Sequence, residues 1–251
     1  MPLLMPMKPG PNSPVNPAPL LAFGAHPDDI EFGCGGVVAV ETRAGRPVYL
    51  VVCSRGEAAT HGTPEQRTRE AEAAAACLGA TLEWLALDGD AHLELRVAHT
   101  IKLAAIIRRL RPGLVLAPSL VANQHPDHAR LGSLVRDAAR LARYGGVAEV
   151  RDLPPHAIAG LFYYAVTPEA EPRDITPVLV DVSDPEIIAT WTAAMEAHAT
   201  QTGARQYVEL QLTRARLHGL RAGLEHAVPL FPNDPLVLAT LGQLGGTARR
   251  Y

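Results

Sequence analysis

Short runs of unbroken apolar residues alternate along this chain with longer stretches in which apolar positions recur every three or four residues. The runs "PLLAFGA" (19–25), "PVYLVVCS" (47–54), "TLEWLAL" (81–87) and "GLVLAPS" (113–119) predict strands buried on both faces. Between them the helical period predicts helices over about 33–44, over 67–80 ("RTREAEAAAACLGA") and over 95–112, where Pro112 stops the last; another covers roughly 127–143. Strands that are apolar throughout, each followed by a helix, belong to a parallel sheet covered on both sides.

The second part of the chain has a different rhythm. "AGLFYYAV" (159–166) and "TPVLVDVS" (176–183) predict further strands, followed by helices near 185–200 and 204–223, while "PRDITP" and "VPLFPNDP" read as connections or caps. There is no internal repeat. The expected fold class is α/β: a Rossmann-like, mostly parallel sheet with helices on both faces and a C-terminal strand/helix elaboration. One domain is expected over 19–251, with a core of about 19–145 and an elaboration of about 146–251, after a flexible proline-rich tail over 1–18.

Composition narrows the function classes. Hydrophobic residues make up 47% and charged residues 20%, the balance of a globular, soluble chain. A net charge of −3 and the lack of a basic stripe argue against nucleic acid. Arg108, Arg109 and Arg111 end a helical segment, where cations suit the helix dipole. No apolar run approaches the roughly 20 residues that span a bilayer, and the start of the chain is too broken by prolines to read as a signal peptide. Cys34, Cys53 and Cys77 form no CxxC pair and are odd in number, which fits reduced thiols in a cytoplasm.

The candidate chemistry begins in "GAHPDDIEFGCGG" (24–36). A dinucleotide fingerprint needs its glycines directly after the first strand and an acid closing the second. Here the strand ends at Ala25, the glycines begin only at Gly33, and strand two closes "VVCS" without an acid. The glycines are read more simply as a helix start packed close to the sheet.

A metal reading gains from "NQHPDHARLG" (123–132). "HPDD" and "HPDH" each follow a predicted strand and precede a helix, with proline where it suits the first helical position. Strand carboxyl ends are where open α/β sheets build sites. His26 and Asp29 are three residues apart, as are His125 and His128, a spacing that places two side chains on one helical face. Imidazole with carboxylate suits Zn2+ held by three protein ligands with a position open to water. Against this stand two rivals: a nucleotide-binding regulatory module that uses the "GCGG" turn, and a metal-dependent phosphoesterase. The phosphoesterase is disfavoured because one histidine–aspartate set serves a single ion.

"AHPDD" after strand one together with "HPDH" after a later strand resembles the PIG-L/LmbE-like family of zinc-dependent N-acetylglucosamine deacetylases, over essentially residues 20–231. The resemblance implies His26, Asp29 and His128 as zinc ligands, although iron(II), Fe2+, would accept the same set. It implies Asp28 as general base, His125 as oxyanion stabiliser or acid, and Asp127 as the group that orients His125. Either Asp28 or His125 would protonate the departing amine. Glu31 is read as a first-turn acid favoured by the helix dipole rather than as a substrate contact.

An arginine in an "RxxE" pattern ahead of "LG" contacts substrate in the family. In "RTREAEAAAACLG" that role falls on Arg67, with Glu70 as its partner; the alternative is a surface helix with solvated charges. "LPPHAIAGLFYY", "ITPVLVDVSD", "MEAHATQ" and "RARLHGLRAGLEHA", in that order, resemble the bacillithiol-pathway branch, which deacetylates N-acetylglucosaminyl-malate. That branch commonly shows "HxSQ" and a late tyrosine-alanine-glutamate; this chain has His198-Ala-Thr-Gln201 and then "LEHAVPLF", with valine in the glutamate's place. His198 is read as an exposed helix histidine in preference to a residue reaching a neighbouring subunit's pocket. The branch also implies a homo-oligomer, of hexameric type.

Overall fold

The structure, a computed structural model, describes residues 17–122, 125–203 and 206–240. The tail expected over 1–18 lies, up to residue 16, outside the described residues, as do Asn123 and Gln124 of the second motif. Five strands run parallel: β1 (Leu20–Gly24), β2 (Val48–Val52), β3 (Thr81–Trp84), β4 (Leu114–Pro118) and β5 (Gly160–Tyr164). With β6 (Val178–Asp181) and β7 (Ala227–Pro232) they make a seven-stranded sheet ordered β3-β2-β1-β4-β5-β7-β6, in which β7 is antiparallel to both neighbours.

Alternate residues of each strand point to opposite faces, and the sheet therefore separates two cores. Leu20, Ala22, Leu50 and Leu116 face α1 (Asp29–Arg43), α2 (Pro64–Leu78), α5 (Pro185–Glu196) and α7 (Tyr207–Arg221). Leu21, Phe23, Val51 and Val115 face α3 (Val97–Leu110) and α4 (Pro126–Arg143). The mixed α/β architecture with a mostly parallel sheet agrees with the pattern of the sequence.

Two expectations are corrected. β7 overlaps "VPLFPNDP", read as a connection or cap; Pro229 and Pro232 cannot donate to a ladder, yet its apolar residues Val228, Leu230 and Phe231 are buried, and it pairs Val178–Asp181 on one side and Phe162–Tyr163 on the other. Helix α1 begins at Asp29, not Gly33. Its glycines sit inside the helix, where a Cβ on Gly33 would lie 2.2 Å from the Tyr164 ring and one on Gly35 2.7 Å from Trp191. The helix kinks at Cys34 (φ −150°, ψ 17°), and the Glu31 carbonyl accepts Trp191 Nε1–H at 2.7 Å.

Helix α2 starts at Pro64 behind a capping box between Thr63 and Gln66, and stops at Gly79 in the left-handed conformation. Arg108, read as a cation at a helix end, is buried: its guanidinium donates to the carbonyls of Ala142, Tyr144, Val150 and Leu153, fastening the exit of α4 to α3. The chain moves from β1 to β3 in one direction and then restarts at β4 on the other side of β1. The carboxyl ends of β1 and β4 thus flank the switch point, where open sheets leave a crevice.

Candidate metal centre and active site

"HPDD" forms the bend from β1 into α1, and "HPDH" enters α4 after β4. Their side chains meet in the crevice. The rings of His26 and His125 lie 4.3 Å apart between centroids, His26 and His128 5.2 Å, and His125 and His128 5.4 Å. One nitrogen from each of the three lies within 4.8 Å of the others, a grouping that could hold a metal ion.

Asp29 is outside that grouping but is turned toward it. Its Oδ2 accepts the backbone N–H groups of Ala25 and His26 at 2.8 and 2.9 Å, which turns Oδ1 to within 3.0 Å of His128 Nε2. At 3.0 Å the pair is a hydrogen bond, somewhat closer than the roughly 3.3 Å between two ligands of a tetrahedral zinc. His26 Nε2 is buried among the carboxylate oxygens of Asp90 and Asp127, and the imidazole–carboxylate donor set is that of zinc or iron(II). Burial opposes the charge of Asp29, but His128 and His26 outweigh it and hold the carboxyl well below its usual range. For His26 burial likewise disfavours charge, and Asp29 with Asp127 and Asp90 lifts the ring well above its usual value. A bound cation would take the place of that proton.

Asp28, next to Asp29, holds φ 108°, a left-handed conformation that an aspartate adopts under strain. Arg67 holds it, with Nη2 2.9 Å from Oδ2. Burial pushes the Asp28 carboxyl up to about 6 against the pull of Arg67, in the range of a base that works near neutrality.

His125 is the more open imidazole, and its Nε2 lies 3.4 Å from Asp90 Oδ1. Asp127 belongs to the same group: Oδ2 accepts Ala91 N–H at 2.8 Å and lies 3.5 Å from His26 Nε2, while Oδ1 accepts from Arg130. Asp90, also 3.1 Å from His26 Nε2, escaped the sequence reading. Its only signal was a place in the "LDGDAH" loop at another strand's carboxyl end.

Two further expectations are corrected. Glu70 is no partner of Arg67: both its oxygens are taken by Thr200, from the backbone N at 2.8 Å and from Oγ1 at 2.6 Å, which ties α2 to α6 (Ala199–Thr202). His198 is not exposed. It is fully buried, with Nε2 3.6 Å from Oε2 of the buried Glu31, at the N-cap of α6, which packs against α2 and α5. Burial disfavours its charge, and Glu31 raises it above the ordinary value all the same.

Residues 21–139 match the PIG-L family, described as GlcNAc-PI de-N-acetylase. A diacetylchitobiose deacetylase of Thermococcus kodakarensis is 31% identical over 205 residues, covering 76% of this chain and 73% of that protein. The chain belongs to the PIG-L family. A 1D-myo-inositol 2-acetamido-2-deoxy-alpha-D-glucopyranoside deacetylase 2 of Catenulispora acidiphila is 27% identical over 244 residues, covering 74% of this PIG-L chain and 80% of its own. The crystal structure of the conserved protein TT1542 from Thermus thermophilus superposes with a TM-score of 0.78 at 31% identity, covering 88% of this chain and 97% of that one. This PIG-L protein is an N-deacetylase, a hydrolase of an amide C–N bond, with a histidine–aspartate cluster that could hold the metal on which such chemistry depends. Among the described residues no helix is long and apolar enough to cross a membrane.

Proposed function

We propose that this chain is a zinc-dependent deacetylase that releases acetate from an N-acetylglucosamine derivative. Its preferred substrate is N-acetylglucosaminyl-malate, on the route to bacillithiol, and it works in the cytoplasm as a homo-oligomer of hexameric type. The observation that carries the reading is the convergence of His26, Asp28 and Asp29 from one strand end with His125 and His128 from another. The malate preference is supported by the order of motifs in the C-terminal part, and the cytoplasm by three unpaired cysteines, two of them buried.

His26, Asp29 and His128 would hold the ion. When bound, zinc polarises the acetamide carbonyl and acidifies water to a pKa of about 7. Asp28, which Arg67 holds beside this set, accepts the proton of the attacking water. Its neighbour Asp29 is free to ligate because adjacent side chains at the bend diverge. His125, with Asp90 beside its Nε2 and Asp127 in the same group, donates to the oxygen that gains charge at the tetrahedral carbon, where a fixed donor counts most. Collapse expels the amine, which takes its proton from Asp28 or His125.

The test is acetate release from N-acetylglucosaminyl-malate, N-acetylglucosamine and diacetylchitobiose by zinc-loaded and chelator-stripped protein. Metal-dependent release that favours the malate conjugate supports the reading. Release from a neutral sugar alone keeps the chemistry and removes the pathway; no release by folded, metal-loaded protein removes both.

A further inference from the structure

A cavity of about 520 Å³ opens at the carboxyl ends of β2 and β3, beside the histidine–aspartate cluster. It meets the cluster at Asp90, which lines the cavity and also lies against His26 and His125. Three carboxylates line it, and each is already engaged. Glu57 accepts the backbone N–H groups of Arg55 and Asp90, both at 3.0 Å. Asp88 accepts from Glu94 N, lies 2.7 Å from His99 Nε2 and pairs with Arg96. Asp90 faces the two imidazoles.

Arg55 is different. Its guanidinium carbon sits over the Trp84 ring, 4.1 Å from the centroid, a cation–π contact that holds the charge at the cavity wall. Among the described residues its only side-chain hydrogen bond runs from Nη1 to Thr68 Oγ1 at 3.0 Å, and no carboxylate pairs with it. A planar fork held on a ring and unspent on any acid suits bidentate capture of a carboxylate. A second neutral sugar is the poorer fit, because Arg55 covers the Trp84 face on which a pyranose would stack. The neighbouring guanidinium of Arg67 is spent on Asp28 and the Pro27 carbonyl.

We infer that this cavity receives the group attached to the acetylated sugar, and that Arg55, braced on Trp84, selects a carboxylate on that group. The inference rests on the sugar deacetylase reading above and specifies which part of the fold sets its substrate class.

The test uses zinc-loaded wild type, Arg55→Gln and Arg55→Lys, each first shown to keep the wild-type melting transition. Calorimetry measures binding of glucosaminyl-malate, the deacetylated product, and of methyl glucosaminide; acetate release gives kcat/KM for N-acetylglucosaminyl-malate and diacetylchitobiose. Arg55→Gln is expected to weaken glucosaminyl-malate at least tenfold and to lower the malate-over-chitobiose ratio of kcat/KM by a similar factor. Arg55→Lys, which keeps charge but loses the fork, recovers only part of this and serves alone if the glutamine variant does not fold. Unchanged glucosaminyl-malate affinity, or an equal loss for both ligands, overturns the subsite. Arg55-dependent binding without acetate release would instead leave the subsite standing and remove the deacetylase reading.

Discussion

One guanidinium nitrogen of Arg67 serves two acceptors, Asp28 Oδ2 at 2.9 Å and the Pro27 carbonyl at 2.5 Å. Both contacts clamp the bend at which Asp28 holds φ 108°, a conformation that costs on the order of 1–3 kcal/mol outside glycine. The side chain reaches the bend by crossing Gly56, where a Cβ would lie 2.3 Å from Arg67 Nη1. Arg67 is therefore expected to act by placing Asp28. A lysine keeps the charge, but its shorter side chain falls short of the position Nη2 occupies, so Arg67→Lys should lower kcat about 100-fold, the order expected when a reacting group is displaced by an ångström. Bound metal per chain should stay at the wild-type value. Wild-type kcat in Arg67→Lys would show that Asp28 is placed by something else.

Asp28 and His128 should separate chemistry from metal binding. Asp28→Asn removes the proposed proton acceptor and leaves the three proposed ligand side chains in place, and it should keep wild-type metal content while turnover falls about 10²–10⁴-fold, the range of general base catalysis. His128→Ala removes the imidazole 3.0 Å from Asp29 Oδ1 and should lose metal and turnover together. Elemental analysis of both purified variants beside their acetate release decides the matter. An asparagine variant that turned over at the wild-type rate would disqualify Asp28 as the base.

The parts of this molecule legible in the sequence are those in which local pattern and tertiary place coincide. Strands β1, β2 and β4 are buried on both faces and so read as apolar runs. The two motifs could be paired because each sits at a strand's carboxyl end, and β1 and β4 are sheet neighbours. What escaped depends on contacts between distant segments. Asp90 gains its meaning from His26 and His125, and nothing in "LDGDAH" announces them. His198 reads as a polar helix residue, and only the tertiary fold buries it against Glu31 of α1. The approach of Thr200 commits Glu70, and β7 carries two prolines that local rules count against a strand.

Gly33 offers a test of why α1 is glycine-rich. A Cβ there would meet Tyr164 Cδ2 at 2.2 Å, and that ring cannot swing away while its hydroxyl donates to the Phe23 carbonyl at 2.7 Å. Gly33→Ala should therefore destabilise by about 1–3 kcal/mol, the usual cost of overpacking a core. In a chain of this size that is a fall in Tm of roughly 2–4 °C for each kcal/mol. Gly146→Ala, where nothing lies within 4 Å, is the control and should melt with the wild type. Equal melting of the two variants would mean that the sheet face accommodates a methyl group and that the glycines serve another purpose.

The last prediction concerns pH and lies away from the metal. Glu171 Oε1 accepts from Arg214 Nε at 2.5 Å and lies 3.0 Å from His218 Nε2, which ties α7 to the segment between β5 and β6. Burial works to raise the Glu171 carboxyl, but the His218 hydrogen bond and the Arg214 charge prevail and hold it below its ordinary value. A carboxyl whose folded pKa is depressed contributes stability that is fully present above the unfolded value, about 4.3, and is lost as pH falls through the folded one. Wild type should accordingly exceed Glu171→Gln in stability near neutrality by an amount that shrinks below about pH 4, with the unfolded carboxyl titrating near 4.3. At neutral pH the substitution leaves Arg214, mostly buried, without its carboxylate, a loss on the order of 1–3 kcal/mol. Urea melts of both proteins at several pH values measure the difference directly. A gap that did not change between pH 7 and pH 3 would show that Glu171 contributes by packing and not by charge.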